Sequence, residues 1–156
     1  MPGKPSRRRG VGGGRPALKI RRFRTSDSAA VVGLWRRCGL VRPANDRFKD
    51  IARKLRVRGD LFLVGLRGGQ IVASVMVGYE GHRGWINYLG VSPDYLKLGY
   101  GRRMMGEAER LLRAEGCAKI NLQVRRSNTG AAAFYAAIGF AQDDVLSYGK
   151  RLEYDS

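Results

Sequence analysis

The chain has 156 residues, 44% of them hydrophobic, which suits one domain with a buried core. Thirty lysines and arginines against 13 acidic residues give a formal net charge of +17, so anionic partners are expected: nucleic acid, acidic protein surfaces or phosphorylated cofactors. No apolar run reaches the roughly 18 residues of a membrane span, no apolar segment follows the basic N-terminus, and Cys38 and Cys117 form no metal or disulfide pattern, so membrane, secretory and zinc-binding classes are set aside and the cytoplasm is expected.

Met1 to Pro16 consists mostly of arginine, glycine and proline, with little to bury. Residues 1–16 therefore read as a disordered basic tail and residues 17–156 as the domain. Leu18 to Arg24 alternates apolar and basic residues, as a strand at a sheet edge does. Thr25, Ser26 or Asp27 can cap a helix running to about Arg37, with Ala30, Val31, Leu34 and Trp35 inward. Asp46 starts a second helix with Phe48, Ile51, Ala52 and Leu55 inward and a basic outer face. Leu61–Leu66 and Ile71–Tyr79, joined by Arg67-Gly68-Gly69-Gln70, predict a hairpin. The turn Glu80 to Gly84 leads into a central strand, Trp85–Val91, stopped by Ser92-Pro93-Asp94.

From Tyr100 the period becomes helical. Met104, Ala108, Leu111 and Leu112 share one face, Arg103, Glu107, Arg110 and Arg113 the other, and Gly116 ends the helix. A strand at Lys119–Val124 follows, then a helix opened by Asn128 and Thr129 and closed by Gly139, then a final strand within Asp144–Leu152. The expected fold is α/β (α+β): a single domain with a mixed, mostly antiparallel twisted sheet of about seven strands, four flanking helices and one parallel crossover.

Between the central strand and its helix lies Leu96-Lys97-Leu98-Gly99-Tyr100-Gly101. Two readings fit it. It is a tight strand-to-helix turn, or it is a phosphate cradle in which glycines admit the ligand to the free N–H groups of a helix N-terminus. It is neither a Walker loop nor a dinucleotide fingerprint, since no Gly-Lys-Ser/Thr follows and Met104 stands where a third glycine would.

The pairing of YLGVSPDYLKLGYG with VRRSNTGAAAFYAAIGF resembles the GNAT family of acetyl-CoA-dependent N-acetyltransferases, over roughly Leu18 to Leu152. The blocks RCGLVRPAND, GYEGHRG and DVLSYGKRL resemble its bacterial YpeA-type branch. The resemblance implies acetyl-CoA as cosubstrate, no metal, and transfer to a primary amine by direct attack in a ternary complex. It implies that Leu89, Gly90 and Val91 pair with the pantetheine arm at a bulge, where the central strand splays from the strand that follows the cofactor helix. It further implies that the loop Leu98, Gly99, Tyr100, Gly101 and Arg102 holds the pyrophosphate, that Asn128 bonds the pantetheine, and that Tyr135 faces the sulfur. Leu96 stands where the family usually has Gln or Arg, and Lys97 where Gly is common.

The chemistry needs a neutral amine, a polarised carbonyl and a stabilised thiolate. Tyr135 is the candidate acid, with core packing beside Ala131, Phe134 and Ile138 as its alternative role. For the base, Trp85 occupies the position where many members have Glu, on the parity of Asn87, Leu89 and Val91. Glu80 is the candidate base; His82, or water oriented by Asn87, are the alternatives. Asn45 and Asp46 are placed to read the acceptor, a small molecule or a protein or peptide amine. Two other functions are open: a basic nucleic-acid-binding module using the arginine-rich tail, and an acyl-CoA sensor without turnover. Monomer and homodimer are both compatible with the sequence.

Overall fold

The computed structural model describes residues 17–155; the basic tail lies outside them. Strand β1 spans Lys19–Arg22, and a turn of 3-10 helix at Thr25–Asp27 leads into α1, Ser28–Arg37. Helix α2 is Arg47–Arg56, followed by β2 (Phe62–Arg67), β3 (Gln70–Tyr79) and β4 (Gly84–Val91). Helix α3 covers Tyr100–Ala114, β5 Ile120–Leu122 and α4 Thr129–Ala137. The strands form one sheet in the order β1-β2-β3-β4-β5, antiparallel except for the β4–β5 pair.

Side chains alternate across this sheet, and β3 shows how. Ala73, Val75 and Val77 enter one core with Tyr100, Met104, Ala108 and Leu112 of α3. Ser74 and Met76 face the other side, where Val31, Val32 and Trp35 of α1 and Ile51 of α2 build a second core with Phe62 and Val64. Each face of the sheet therefore carries helices, and α4 adds Phe134, Tyr135 and Ile138 to the margin of the α3 core.

Two expectations about the sheet need correction. The sheet has five strands among the described residues, not seven. The segment expected to pair as a last strand, Asp144–Leu152, is irregular and exposed, with Tyr148 88% accessible. Side chains alone tie it to the β5 region, through Lys119 to Asp143 and Gln123 to Ser147. β5 offers only three residues of ladder, a short template for a further strand. The ladder from β4 to β5 likewise covers three pairs, Gly84↔Ile120 to Ile86↔Leu122, while β4 continues to Val91.

The inner face of α1 is close to the one expected, with Val31, Leu34 and Trp35 buried, whereas α2 turns a different face inward. In α1 Val32 is buried and Ala30 exposed. In α2 only Ile51 is buried; Phe48, Ala52 and Leu55 face outward, with Phe48 53% accessible. The polar residues take the inner side instead. Asp50 accepts from the Tyr88 hydroxyl at 2.6 Å, and Lys54 Nζ donates to the Val77 carbonyl at 2.5 Å. Arg47, one turn before Asp50, has its Nε buried without a hydrogen-bond partner among the described residues.

The start of α1 rests on a half-buried ion pair. Arg21 donates to both Asp27 oxygens, at 2.7 and 3.0 Å, and the Arg24 N–H adds a third bond at 2.8 Å. The Arg21 guanidinium, helped by that N–H, holds the Asp27 carboxyl below the usual carboxylate range. A lowered folded pKa means stabilisation present above the unfolded value of about 3.9 and lost as pH falls through the folded one. Asp27→Asn should therefore cost about 1–3 kcal/mol at pH 7 and much less near pH 3, measured by urea unfolding at the two pH values.

Candidate active site

β4 does not run straight. Its register with β3 shifts between Ser74↔Gly90 and Met76↔Asn87, so an extra residue bulges out of the strand. Tyr88 lies there with φ +51°, in the left-handed region that a side chain ordinarily avoids. The bulge switches the strand's parity. Ile86 packs in the α3 core, Tyr88 in the α1–α2 core, and Leu89 and Val91 return to the α3 core. The alternation expected from Trp85 through Val91 is thus broken: Trp85 and Asn87 lie across the strand from Ile86 and do not share the face of Leu89 and Val91.

After β4, the chain turns through Pro93–Tyr95 into α3. Lys97 has φ +61° and Gly99 φ +80°. Lys97, where the family commonly has glycine, nevertheless adopts the backbone a glycine would favour. A Cβ built on Gly99 meets nothing within 4 Å, so this part of the loop is open. The Arg103 N–H bonds back to the Gly99 carbonyl at 3.0 Å, and the amides of Gly101 and Arg102 precede that first helical bond. With Lys97, Arg102 and Arg103 exposed around it, this helix end suits an anion. Gly101 differs from Gly99. Its Cβ would come within 3.1 Å of the Phe134 ring and 3.8 Å of Val91 Cγ2. Gly101 is the point where the end of β4, the start of α3 and α4 touch.

On α4, Tyr135 sits edge-on to Phe134 and Phe140, with ring centroids 5.1 and 5.6 Å apart. Burial pushes its hydroxyl up to about 12, and no described residue hydrogen-bonds it. Asn128 caps α4, its Oδ1 accepting from the Ala131 N–H at 3.1 Å, which leaves its Nδ2 for a ligand. Tyr135 is thus packed among aromatic rings with its hydroxyl unbonded among the described residues.

The other candidates lie apart from that junction. The Glu80 carboxylate belongs to its own turn, accepting the N–H groups of Arg83 at 2.6 Å and His82 at 3.2 Å. Those bonds, Arg83's first, hold it below the usual carboxylate range on an exposed turn. Asn87 is exposed on β4. Asp46 caps α2 through the Lys49 N–H, and Asn45 Oδ1 accepts from Arg151. Cys38 and Leu40 crowd Gly90, and the Cys38 thiol donates to the Val91 carbonyl at 3.3 Å.

Four residues escaped sequence reasoning: Ser74, Tyr88, Asp50 and Asp155. Trp35 Nε1 donates to Ser74 Oγ, and Ser74 Oγ donates to the Tyr88 carbonyl, each at 2.9 Å. The Tyr88 ring stacks on Trp35 at 3.9 Å and its hydroxyl reaches Asp50. Arg53 joins Asp50 to Asp155, whose carboxylate also accepts the Asp46 N–H at 2.9 Å. Among the described residues, no three His, Cys, Asp or Glu side chains cluster as metal ligands, and no helix is long and apolar enough to cross a membrane.

This architecture has clear relatives. The family model described as Acetyltransferase (GNAT) family matches residues 25–140. An acetyltransferase of Sodalis glossinidius (strain morsitans) is 47% identical over 139 residues, spanning 88% of this chain and 98% of the relative. One from Pectobacterium atrosepticum is 46% identical over 138 residues, with the same coverage. Among solved structures, the PaiA N-acetyltransferase of Thermoplasma acidophilum in complex with coenzyme A superposes with a TM-score of 0.73 at 18% identity, covering 83% of this chain and 92% of that one. The ribosomal-protein-S18-alanine N-acetyltransferase of Escherichia coli gives 0.69 at 23% identity, covering 81% and 79%. At those identities the structural likeness speaks for the fold, and the sequence relatives speak for the family. The chain belongs to the GNAT acetyltransferase family and is an acetyl-CoA-dependent N-acetyltransferase.

Proposed function

We propose that this enzyme acetylates a primary amine by direct attack in a ternary complex, with the coenzyme lying where β4, α3 and α4 meet. The observation that carries this reading is the junction at Gly101, which brings Val91, the α3 N-terminus and the helix bearing Tyr135 together. Acetyl-CoA supplies an activated thioester there. The amides of Leu98, Gly99, Tyr100, Gly101 and Arg102 hold the pyrophosphate, where Gly99 leaves open space and the helix end favours negative charge. The short β4–β5 ladder leaves Leu89, Gly90 and Val91 to pair with the pantetheine, and the Val91 N–H faces the charge that develops on the acetyl oxygen. Asn128 uses its free Nδ2 on the same arm.

Tyr135 donates a hydrogen bond to the departing sulfur and passes its proton late. Its raised pKa favours that order, because full transfer to a thiolate of ordinary pKa near 8.5 is uphill. The acceptor approaches from the α1–α2 side, along the loop carrying Asn45 and Asp46. Two of the three YpeA-type blocks meet there, since Arg151 donates to the Ala44 carbonyl and Asn45 Oδ1 at 3.1 Å. For proton removal we favour water ordered at Asn87 over Glu80, whose carboxylate is weakly basic and engaged with its own turn. A free exposed carboxylate would have suited the role better.

Four measurements test this reading. Gly99→Glu places bulk and negative charge in the cradle, so calorimetry should show acetyl-CoA affinity falling at least ~10-fold in a folded protein, where φ +80° adds about 1 kcal/mol of strain. Unchanged affinity would overturn the cradle. Tyr135→Phe should slow single-turnover acetyl transfer about 10²-fold with coenzyme affinity retained. The wild-type rate should show no fall from Tyr135 ionisation below about pH 10, because a pKa of about 12 keeps the acid form populated there. Glu80→Gln should leave both the rate and the ascending limb of the pH profile in place; a collapse of that limb would make Glu80 the base.

A further inference from the structure

We infer that Tyr88 is a positioning residue for the transfer reaction: its left-handed backbone, locked by Trp35, Ser74 and Asp50, aims the Leu89–Val91 amides at the substrate. This rests on the acetyl-transfer reading of β4, but the device itself is drawn from contacts that the reading did not use.

A non-glycine residue at φ +51° is strained and persists only where its surroundings over-determine it. Tyr88 is held from three directions. Its carbonyl accepts from Ser74 Oγ at 2.9 Å, which fixes the peptide leaving Tyr88, the one that carries the Leu89 N–H. Its ring lies on Trp35 with centroids 3.9 Å apart and planes 16° from parallel. Its hydroxyl donates to Asp50 Oδ2 at 2.6 Å, and burial together with that carboxylate pushes the phenol well above its ordinary range, so it remains a donor at any working pH.

Ser74 is fully buried and has both hydrogen-bonding roles filled, accepting from Trp35 Nε1 and donating to Tyr88. It lies on β3 opposite Gly90, at the edge of the register shift, so the partner strand supplies the lock where the extra residue is inserted. The far end is anchored too. Asp50 is bonded by Arg53, which is bonded by Asp155, which caps the Asp46 N–H at the start of α2. The peptide plane ahead of the reacting amides is therefore tied to the helix beside the acceptor loop. An acceptor pressing on α2 would be felt at the bulge.

Backbone preference separates this role from packing. Glycine adopts φ +51° freely, whereas valine, β-branched, resists it. Tyr88→Gly should keep kcat within about 10-fold of wild type, while Tyr88→Val should lower it about 10²-fold, the scale of one misplaced oxyanion donor. Coenzyme A affinity should stay within about threefold in both. If Tyr88 merely fills space, valine retains more of the side chain and should be the better variant; that order overturns the inference. Ser74→Ala, a small change that keeps the ring stack, should fall between the two.

Amide NMR reads the same geometry without any activity. Both variants lose the Tyr88 ring current, so the two are compared with each other. The Leu89, Gly90 and Val91 N–H resonances should differ between Tyr88→Gly and Tyr88→Val, with valine displaced further from wild type. Coincident Leu89–Val91 amide positions in the two variants would overturn the inference even if the protein acetylated nothing. Failure of the wild type to bind acetyl-CoA would instead defeat the acetyl-transfer reading, and the amide comparison would still decide this one.

Discussion

The backbone turn at Tyr88 is the constraint from which most of the molecule's layout follows. A regular β4 would keep Ile86, Tyr88 and Gly90 on one face. The bulge instead sends Ile86 to the α3 core and Tyr88 to the α1–α2 core, with Leu89 and Val91 back beside α3. One inserted residue thus reverses which residues of the strand face each core, and so presents a different face at its end. The strain of order 1–3 kcal/mol is matched by two neutral hydrogen bonds of about 1 kcal/mol each, a charge-assisted one and an aromatic stack.

That turn also explains what sequence reading could and could not reach. Hairpin, central strand, crossover helix and glycine loop were all legible, because each is written in local pattern: alternation, period 3.6, and glycines at positive φ. The α3 face read from Met104, Ala108 and Leu112 is buried as its spacing says. The parity of β4 beyond Asn87 was not legible, since nothing in Asn87-Tyr88-Leu89 marks a left-handed residue. Glycine would have signalled it; tyrosine hides it. The lock depends on Trp35, Ser74 and Asp50, 53, 14 and 38 residues away from Tyr88, and such separations leave no local trace.

Helix α2 misled for a related reason. Phe48, Ala52 and Leu55 have inward spacing, yet the protein presents them to solvent and turns Asp50 and Lys54 to the sheet. Periodicity reports that a helix has two faces; it does not report which one the tertiary structure selects. Here the selection is made by polar partners already fixed in β3 and β4, the Val77 carbonyl and the Tyr88 hydroxyl. The last strand failed differently. Its pattern is strand-like, but β5 provides too little ladder for it to join.

Helix α4 has no fully buried residue; its attachment is the half-buried trio Phe134, Tyr135 and Ile138, with Phe134 resting on Gly101. By the logic of local stability it is an element that opens at low cost, independently of the sheet. The candidate proton donor is therefore carried by a weakly held unit, whose other face borders the coenzyme's proposed berth. Ligand occupancy would then act as mortar between α3 and α4, and backbone hydrogen exchange in α4 would report occupancy at the α3 N-terminus. The helix that carries the candidate donor would be ordered in proportion to its cosubstrate supply.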